Sequence, residues 1–227
     1  MRLSSVVLAG LFAVSGPAFA QAPPAEAEPA VEAAPVAAPV TYKLGSGMLV
    51  VKVFKDESTL ASDLSHNHAI KATGWSGSFT WDPVDQTCAI SATVPVAKLD
   101  ADATATRKWA GVSGEIDDGQ REEIKGNLLK PDQLNGAKYP NITFKADSCA
   151  LAGDTLNVKG SITIRGKAKA VSIPFKGFAA DGSSVKGKGS FKVNHTDFGF
   201  EPFSALFGAL KNLNSMEFVV ELAGKAG

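Results

Sequence analysis

Residues 158–200 decide the fold, and they read VKGSITIRGKAKAVSIPFKGFAADGSSVKGKGSFKVNHTDFGF. Apolar and polar side chains alternate along this stretch, as at Ile173 and Phe175, and a period of two indicates β-strands with one buried face. Breaks that contain Gly, Lys and Asp divide the stretch into three strands. At the end of the third strand, after Phe191, His195 occupies a position of the apolar face. This histidine needs an explanation.

The same alternation continues on both sides of this stretch. About eight strands are predicted over the mature chain, joined mostly by hairpins, with an amphipathic helix at residues 121–129 that carries Ile124 and Leu128. Residues 203–213 form a further short apolar segment, which could be helical. The predicted fold is therefore all-β, an eight-stranded antiparallel barrel with a short helical insertion, and a two-sheet sandwich is the alternative. The large side chains offered to the interior include Trp75, Phe79, Trp81, Phe144, Phe175, Phe191 and Phe218.

Two segments before the barrel have other predicted roles. Residues 1–20 combine a basic start, an apolar run and a small-residue site at Ala18 and Ala20, which indicates a secretory signal peptide. Residues 21–40 contain only Gln, Ala, Pro, Glu and Val, a composition typical of a disordered linker. Residues 41–225 are then the barrel domain. The expected location is the periplasm or the extracellular medium.

Charge excludes two classes of partner. The chain has 23 basic and 23 acidic residues and no net charge, so no electrostatic case exists for nucleic acid or for an anionic membrane surface. The apolar run of the leader is shorter than a membrane-spanning helix needs, and we expect no integral membrane span in the mature protein. A homodimer is possible.

The three histidines of the chain are His66, His68 and His195. All three share a strand face with apolar neighbours, and one interpretation is a three-histidine metal site, with Asp197 as a further carboxylate. The other is that they lie at strand ends near the barrel mouth and donate to backbone carbonyls, Asp63 or Asp197. A His-x-His pair alone is a weak metal signal, so no metal and no catalytic residue is predicted.

Cys88 and Cys149 are the only cysteines of a chain routed to an oxidising compartment, and a disulfide between them is predicted. Strand parity objects, because Cys88 shares a face with Ile90 whereas Cys149 falls opposite Phe144, unless a β-bulge intervenes. No haem attachment motif, phosphate-binding loop or dinucleotide fingerprint occurs, so no cofactor is expected. A catalytic serine elbow is absent as well.

Three segments together resemble the YceI-like family, described as polyisoprenoid-binding. They are YPNITF at residues 139–144, GSITIRG at 160–166 with Val171, and VNHTDFGF at 193–200. The resemblance covers roughly residues 50–222, and His68, Gly77, Phe79 and Arg121 match individual family positions. The sequence departs from the family in three places: residues after Arg121 lack the usual His-Leu, His195 stands where Arg is common, and His66 creates an added His-x-His.

The resemblance implies a lipocalin-like barrel whose apolar tunnel holds an isoprenoid chain, such as that of a quinone or a polyprenyl lipid. We therefore expect a binding protein rather than an enzyme. Its expected ligand contacts are Trp75, Phe79, Trp81, Phe144, Phe175 and Phe191 in the tunnel, with His68 and His195 near the mouth. The alternatives are a metal-dependent hydrolase or isomerase that uses the three histidines, and an envelope stress or structural protein without a ligand.

Overall fold

Residues 38–227 are described by a computed structural model. The predicted signal peptide (residues 1–20) and residues 21–37 of the predicted linker lie outside the described residues. The first described strand begins at Val40.

Most described residues lie in β-strands. The strands are β1 (Val40–Leu44), β2 (Leu49–Lys55), β3 (His68–Ala72), β4 (Ser76–Asp82), β5 (Thr87–Pro95), β6 (Leu99–Ala101), β7 (Asn141–Ala152), β8 (Thr155–Ile164), β9 (Lys167–Ala180), β10 (Ser184–Asn194), β11 (Ser204–Ala205) and β12 (Leu210–Ala226). The helices are α1 (Thr104–Ala110) and α2 (Asp118–Leu129), with 3-10 turns at Ser62–Leu64, Val96–Lys98, His195–Phe198 and Leu206–Gly208.

The sheet closes on itself as an antiparallel barrel of eight strands within the described chain. Three of these barrel strands are interrupted, because β1 continues into β2, β3 into β4, and β5 into β6. The β12 strand completes the circle, since it pairs with β10 on one side and with both β1 and β2 on the other. The predicted eight-stranded barrel with a helical insertion is confirmed. Closure removes the unpaired edges that a sandwich would retain.

The two ends of the barrel differ in their connections. One end, the turn end, carries the short connections at residues 83–86, 153–154 and 181–183. The other end, the helical end, carries the long connections at residues 56–67, 102–140 and 195–209. Polar and irregular residues therefore accumulate at the helical end.

The predicted helix at residues 121–129 is confirmed as part of α2. Its N-terminus has a capping box, in which the Asp117 carboxylate accepts from the backbone of Gln120 and the Gln120 side chain accepts from the backbone of Asp117. Ile124 and Leu128 pack against the barrel core, as their i, i+4 spacing predicted. The apolar side of α2 therefore covers part of the barrel opening at the helical end.

The disulfide between Cys88 and Cys149 is confirmed, with Cα atoms 5.7 Å apart. The pairing of β7 with β8 shifts register between Ala146 and Ser148, and this irregularity returns Cys149 to the face of Cys88. The parity objection is thus answered by a bulge. Because the bond joins residues 61 positions apart, loop-closure entropy alone gives a stabilisation of about 4 kcal/mol.

Candidate functional site

The barrel interior contains an apolar cavity of about 110 Å³. Among the described residues that line it, only Thr143 carries a hydroxyl, amide or charged group. Four residues predicted to contact a ligand lie in this lining, namely Trp75, Phe144, Phe175 and Phe191. Such a surface can hold hydrocarbon but offers almost no group to orient a polar ligand.

Phe79 and Trp81, also predicted to contact the ligand, lie outside this lining. Their rings stack on each other with centroids 6.4 Å apart, and both meet the ring of Phe178 edge-on. Tyr42 extends the cluster and donates its hydroxyl to the backbone carbonyl of Asp181. These four aromatic residues close the turn end by packing on one another. The alternation of β4 placed Phe79 and Trp81 inside the barrel correctly, but parity does not report the depth at which a side chain meets other rings.

Two stacked phenylalanines form part of the cavity wall. Phe191 and Phe218 are directly paired across β10 and β12, and their rings stack with centroids 4.8 Å apart at an angle of 13°. Both line the cavity. A cavity of about 150 Å³ is enough for a benzene molecule, so about 110 Å³ does not hold a long chain unless lining side chains move.

A second cavity, the end pocket, has a volume of about 80 Å³. Ile70 lines both cavities, so the end pocket adjoins the apolar interior at this side chain. The other residues that line the end pocket come from β2, β3, β12, α2 and the loops of the helical end; they are Val53, His68, Ile124, Asn127, Leu128, Gln133, His195, Phe203 and Asn212. Polar and apolar groups are mixed here. No Lys, Arg, Asp or Glu from residues 38–227 lines the end pocket.

His68 is held by a buried ionic pair. Its Nδ1 lies 2.7 Å from Oδ2 of Asp102, and Oδ1 of the same carboxylate accepts from the Ala69 amide and from Nη1 of Arg107 at 2.8 and 2.6 Å. Asp102 is completely buried, and the Arg107 side chain is nearly so. The remaining Arg107 donors reach the carbonyls of Asn67, Ser113 and Gly114.

This network keeps Asp102 ionised. Burial on its own raises the pKa of the Asp102 carboxyl, but hydrogen bonds from His68, the Ala69 amide and Arg107 together hold that pKa below its ordinary value. A carboxylate is only an acceptor, so Nδ1 of His68 is protonated and donates to Asp102, and Nε2 has no partner in this network. The ring orientation of His68 is thereby determined by residues outside the pocket.

His195 is buried and is oriented by the backbone. Its Nδ1 donates to the carbonyl oxygen of Asn214 over 2.8 Å, and its ring meets Phe200 edge-on at 5.2 Å. Burial lowers the pKa of His195, although the Asn214 hydrogen bond and the charge of Glu201 act in the opposite direction. The neutral imidazole therefore offers Nε2 as an acceptor.

The end pocket can bind a neutral polar group. Neither Nε2 atom, of His68 or of His195, has a hydrogen-bond partner within residues 38–227. The amides of Asn127, Gln133 and Asn212 add donors and acceptors around the same space. A phosphate or carboxylate would have no lysine or arginine partner among the described residues of this pocket.

The structure does not bring the three histidines together. His68 and His195 line the end pocket, whereas His66 lies in the loop before β3 and lines neither cavity. Asp197 accepts from Lys169 and from the backbone of Asn194 rather than from a histidine. Over residues 38–227, no three His, Cys, Asp or Glu side chains lie close enough to share a metal ion.

Sequence reasoning missed the residues that hold His68. Asp102 follows β6 with a φ of 52°, and Arg107 lies in α1, a helix that the sequence analysis did not predict. The available signal was a carboxylate at residue 102 between Ala101 and Ala103, because a charged residue in apolar surroundings requires a partner. Spacing alone could not identify that partner as His68.

The chain matches the YceI-like domain family over residues 52–224. No curated protein sequence matches it. Along residues 38–227, no helix is both long enough and apolar enough to cross a bilayer.

Several solved structures have a similar fold. BcnA from Burkholderia cenocepacia is 18% identical, with a TM-score of 0.54 over 77% of this chain and 95% of BcnA. A polyisoprenoid-binding domain from Saccharophagus degradans, implicated in plant cell wall breakdown, is 9% identical, with a TM-score of 0.53 over 83% of this chain and 99% of that domain. A mutant of the YceI protein of Campylobacter jejuni is 17% identical, with a TM-score of 0.50 over 70% of this chain and 84% of that protein. At these identities the likeness is one of fold.

Proposed function

We propose that this chain, which belongs to the YceI-like domain family, binds a long apolar ligand of the polyisoprenoid, quinone or lipid type and does not catalyse a reaction. One observation carries the proposal: an apolar interior cavity adjoins an end pocket of mixed polar and apolar lining, with Ile70 lining both. An amphiphile with a hydrocarbon tail and a polar head has the same arrangement. The polyisoprenoid-binding domain of similar fold supports the tail chemistry.

Burial of the tail supplies most of the affinity. Transfer of a CH₂ group from water to an apolar site contributes about 0.8 kcal/mol, so even a partly enclosed chain is held without strong polar contacts. Because the cavity is small, tail entry requires lining side chains to move, and separation of the stacked Phe191 and Phe218 rings would enlarge it. The ligand tail then occupies both the existing cavity and the volume that the two rings vacate.

The polar head is a neutral group. The end pocket contains two imidazole rings with free Nε2 atoms and three amide side chains, which suit a hydroxyl or a carbonyl. A diphosphate head would require lysine or arginine near it. Export to the periplasm or the medium, which the leader predicts, would place the protein where membrane lipids are accessible.

A cavity-filling variant tests the proposal. Ala92 lines the cavity, whereas Ala89 lies on the exposed face of the same strand, so Ala92→Phe fills the interior and Ala89→Phe is its matched control. Each protein is purified without detergent, and the lipids in a solvent extract are identified by mass spectrometry. We expect an isoprenoid lipid with a neutral head group from the wild type and Ala89→Phe, and none from folded Ala92→Phe. Absence of lipid from the wild type, or equal recovery from both variants, would contradict the proposal.

A further inference from the structure

Two neighbouring loops of the helical end each expose apolar side chains. Leu60 and Leu64 lie in the loop after β2, and Leu206 and Phe207 lie at the turn between β11 and β12. Leu60 and Phe207 are fully exposed, at 100% and 113% of their reference areas. The Ala61 amide donates to the Ala209 carbonyl over 2.9 Å and joins the two loops. The hydrophobic tip consists of Leu60, Leu64, Leu206 and Phe207.

The backbone of the hydrophobic tip is strained in a way that presents these side chains. Leu206 and Phe207 are consecutive residues with φ of 50° and 55°, in the left-handed region that disfavours large side chains. Glycine or asparagine would relieve the strain, and no burial compensates it, because Phe207 is fully exposed. The apolar segment at residues 203–213, for which the sequence left a helix open, forms instead a hairpin that turns at this strained pair.

The hydrophobic tip lies beside the end pocket. Ser204 and Ala205 pair with Lys211 and Leu210, so residues 203–212 form one hairpin. Phe203 and Asn212, at the base of that hairpin, line the end pocket, and its far end carries Leu206 and Phe207. The exposed side chains are thus one short hairpin away from the end pocket.

Charge near the hydrophobic tip does not select an anionic partner. Lys55 donates to the Ser62 carbonyl, and the Lys211 carbonyl accepts from the Asp56 amide, which places one lysine beside each loop. Asp56, Glu57 and Asp63 lie in the same loop. The two signs are mixed, so attraction to a strongly acidic surface is weak.

We propose that the hydrophobic tip inserts into the interfacial region of a lipid bilayer of zwitterionic lipid and brings the end pocket to the membrane surface. Protein partners of stable complexes cover about 800 Å² per side with a complementary surface. Separate side chains that protrude from two loop ends do not form such a surface, whereas a fluid bilayer accepts them without a matching pocket. The inference goes beyond the ligand proposed above, because docking requires no occupant in the barrel.

Vesicle flotation tests the inference. The full protein is mixed with phosphatidylcholine vesicles that contain no isoprenoid, at about 0.05 M and about 0.5 M NaCl, and the floated fraction is measured. The test variant is the double substitution Leu206→Ser with Phe207→Ser. The control is Val84→Ser, which removes another exposed apolar side chain, 56% exposed, from the turn end.

We expect the wild type and Val84→Ser to float equally at both salt concentrations, and the double variant to partition at least about tenfold less. A second variant, Phe207→Leu, keeps an apolar side chain and should retain most of the binding. The inference is overturned if the wild type does not float, if the double variant floats as well as the wild type, or if binding requires anionic lipid and disappears at high salt. It is also overturned if the tip instead mediates self-association, seen as a wild-type dimer in light scattering that the double variant lacks. Lipid recovery from purified protein is measured separately, so failure of the ligand proposal leaves this result interpretable.

Discussion

Asp102 is the residue on which the geometry of the end pocket depends most. Its carboxylate is fully buried and accepts from His68, Ala69 and Arg107. Asp102→Asn removes the charge and leaves the Arg107 guanidinium buried without an ionised partner. Loss of one member of a buried ion pair costs about 3–5 kcal/mol, and we expect a decrease of that size in the free energy of unfolding.

Urea denaturation measures this effect, with Asp100→Asn as the control. Asp100 forms a more exposed ion pair with Arg121, so its replacement should cost less than about 1 kcal/mol. If both variants lost the same free energy of unfolding, the buried Asp102 carboxylate would not be more important to the fold than the more exposed Asp100 carboxylate, contrary to this prediction. Separately, lipid recovery from the folded fraction of Asp102→Asn shows whether the orientation of His68 matters for ligand binding.

His195 predicts a dependence of stability on pH. Burial lowers the pKa of His195 in the folded state, while the unfolded chain titrates near the ordinary value of 6.5. As the pH falls through this value, the unfolded state therefore binds more protons at His195 than the folded state does. The free energy of unfolding decreases below about pH 6.5, and His195 causes no such decrease above that pH. Glu201 and the Asn214 carbonyl reduce the effect without reversing its sign.

The variant His195→Gln isolates this contribution. Glutamine can donate to the Asn214 carbonyl and has no charge at any pH, so the difference in unfolding free energy between the wild type and His195→Gln should change as the pH falls from about 8 to about 5. The wild type should lose more. A constant difference across this range would mean that His195 does not titrate differently in the two states.

At the scale of single elements, β8 requires a glycine where it passes β7. A Cβ atom at Gly160 would lie 2.5 Å from the Lys145 carbonyl oxygen and 2.8 Å from Cζ of Phe144. Gly160→Ala should therefore force strand or ring displacement and cost about 1–3 kcal/mol. A Cβ at Gly182 would meet no atom within 4 Å, so Gly182→Ala should change stability by less than about 0.5 kcal/mol. Thermal unfolding of the two variants compares these positions directly, and equal midpoints would contradict the close approach.

Elements with long regular patterns could be predicted from the sequence. The β9 strand carries Ile173 and Phe175 on its buried face, and α2 carries Ile124 and Leu128, as their periods indicate. The α1 helix could not, because it is only seven residues long and depends on tertiary contacts: Trp109 and Ala110 pack on a small cluster outside the barrel, and Arg107 fills a buried site. Local propensity contains no record of these contacts.

At the scale of the whole molecule, the number of strands predicted a closed barrel. It did not predict how the interior is divided into a closed turn end, a cavity and an end pocket. Parity places Phe79 and Phe175 on the same side of the sheet and says nothing of their height along the barrel axis. The structure uses Phe79 to close the turn end and Phe175 to line the cavity. His68 and His195, distant in sequence, meet in one pocket only because the helical end gathers long connections.

The division of the interior into a cavity and a closed turn end predicts different ligand-binding effects for two phenylalanine substitutions. Phe191→Ala removes a cavity-lining ring and the stacking partner of Phe218, so it should cost about 3 kcal/mol and enlarge the cavity. Phe178→Ala removes a ring from the aromatic cluster at the turn end, 5.3 Å from Trp81, and should also destabilise the fold. Only Phe191→Ala should bind an apolar fluorescent probe more tightly, because only this change adds space that adjoins the end pocket. Probe titration of both variants at matched fractions of folded protein measures the contrast; a gain for Phe178→Ala, or none for Phe191→Ala, would mean that ligand does not occupy the cavity next to Ile70.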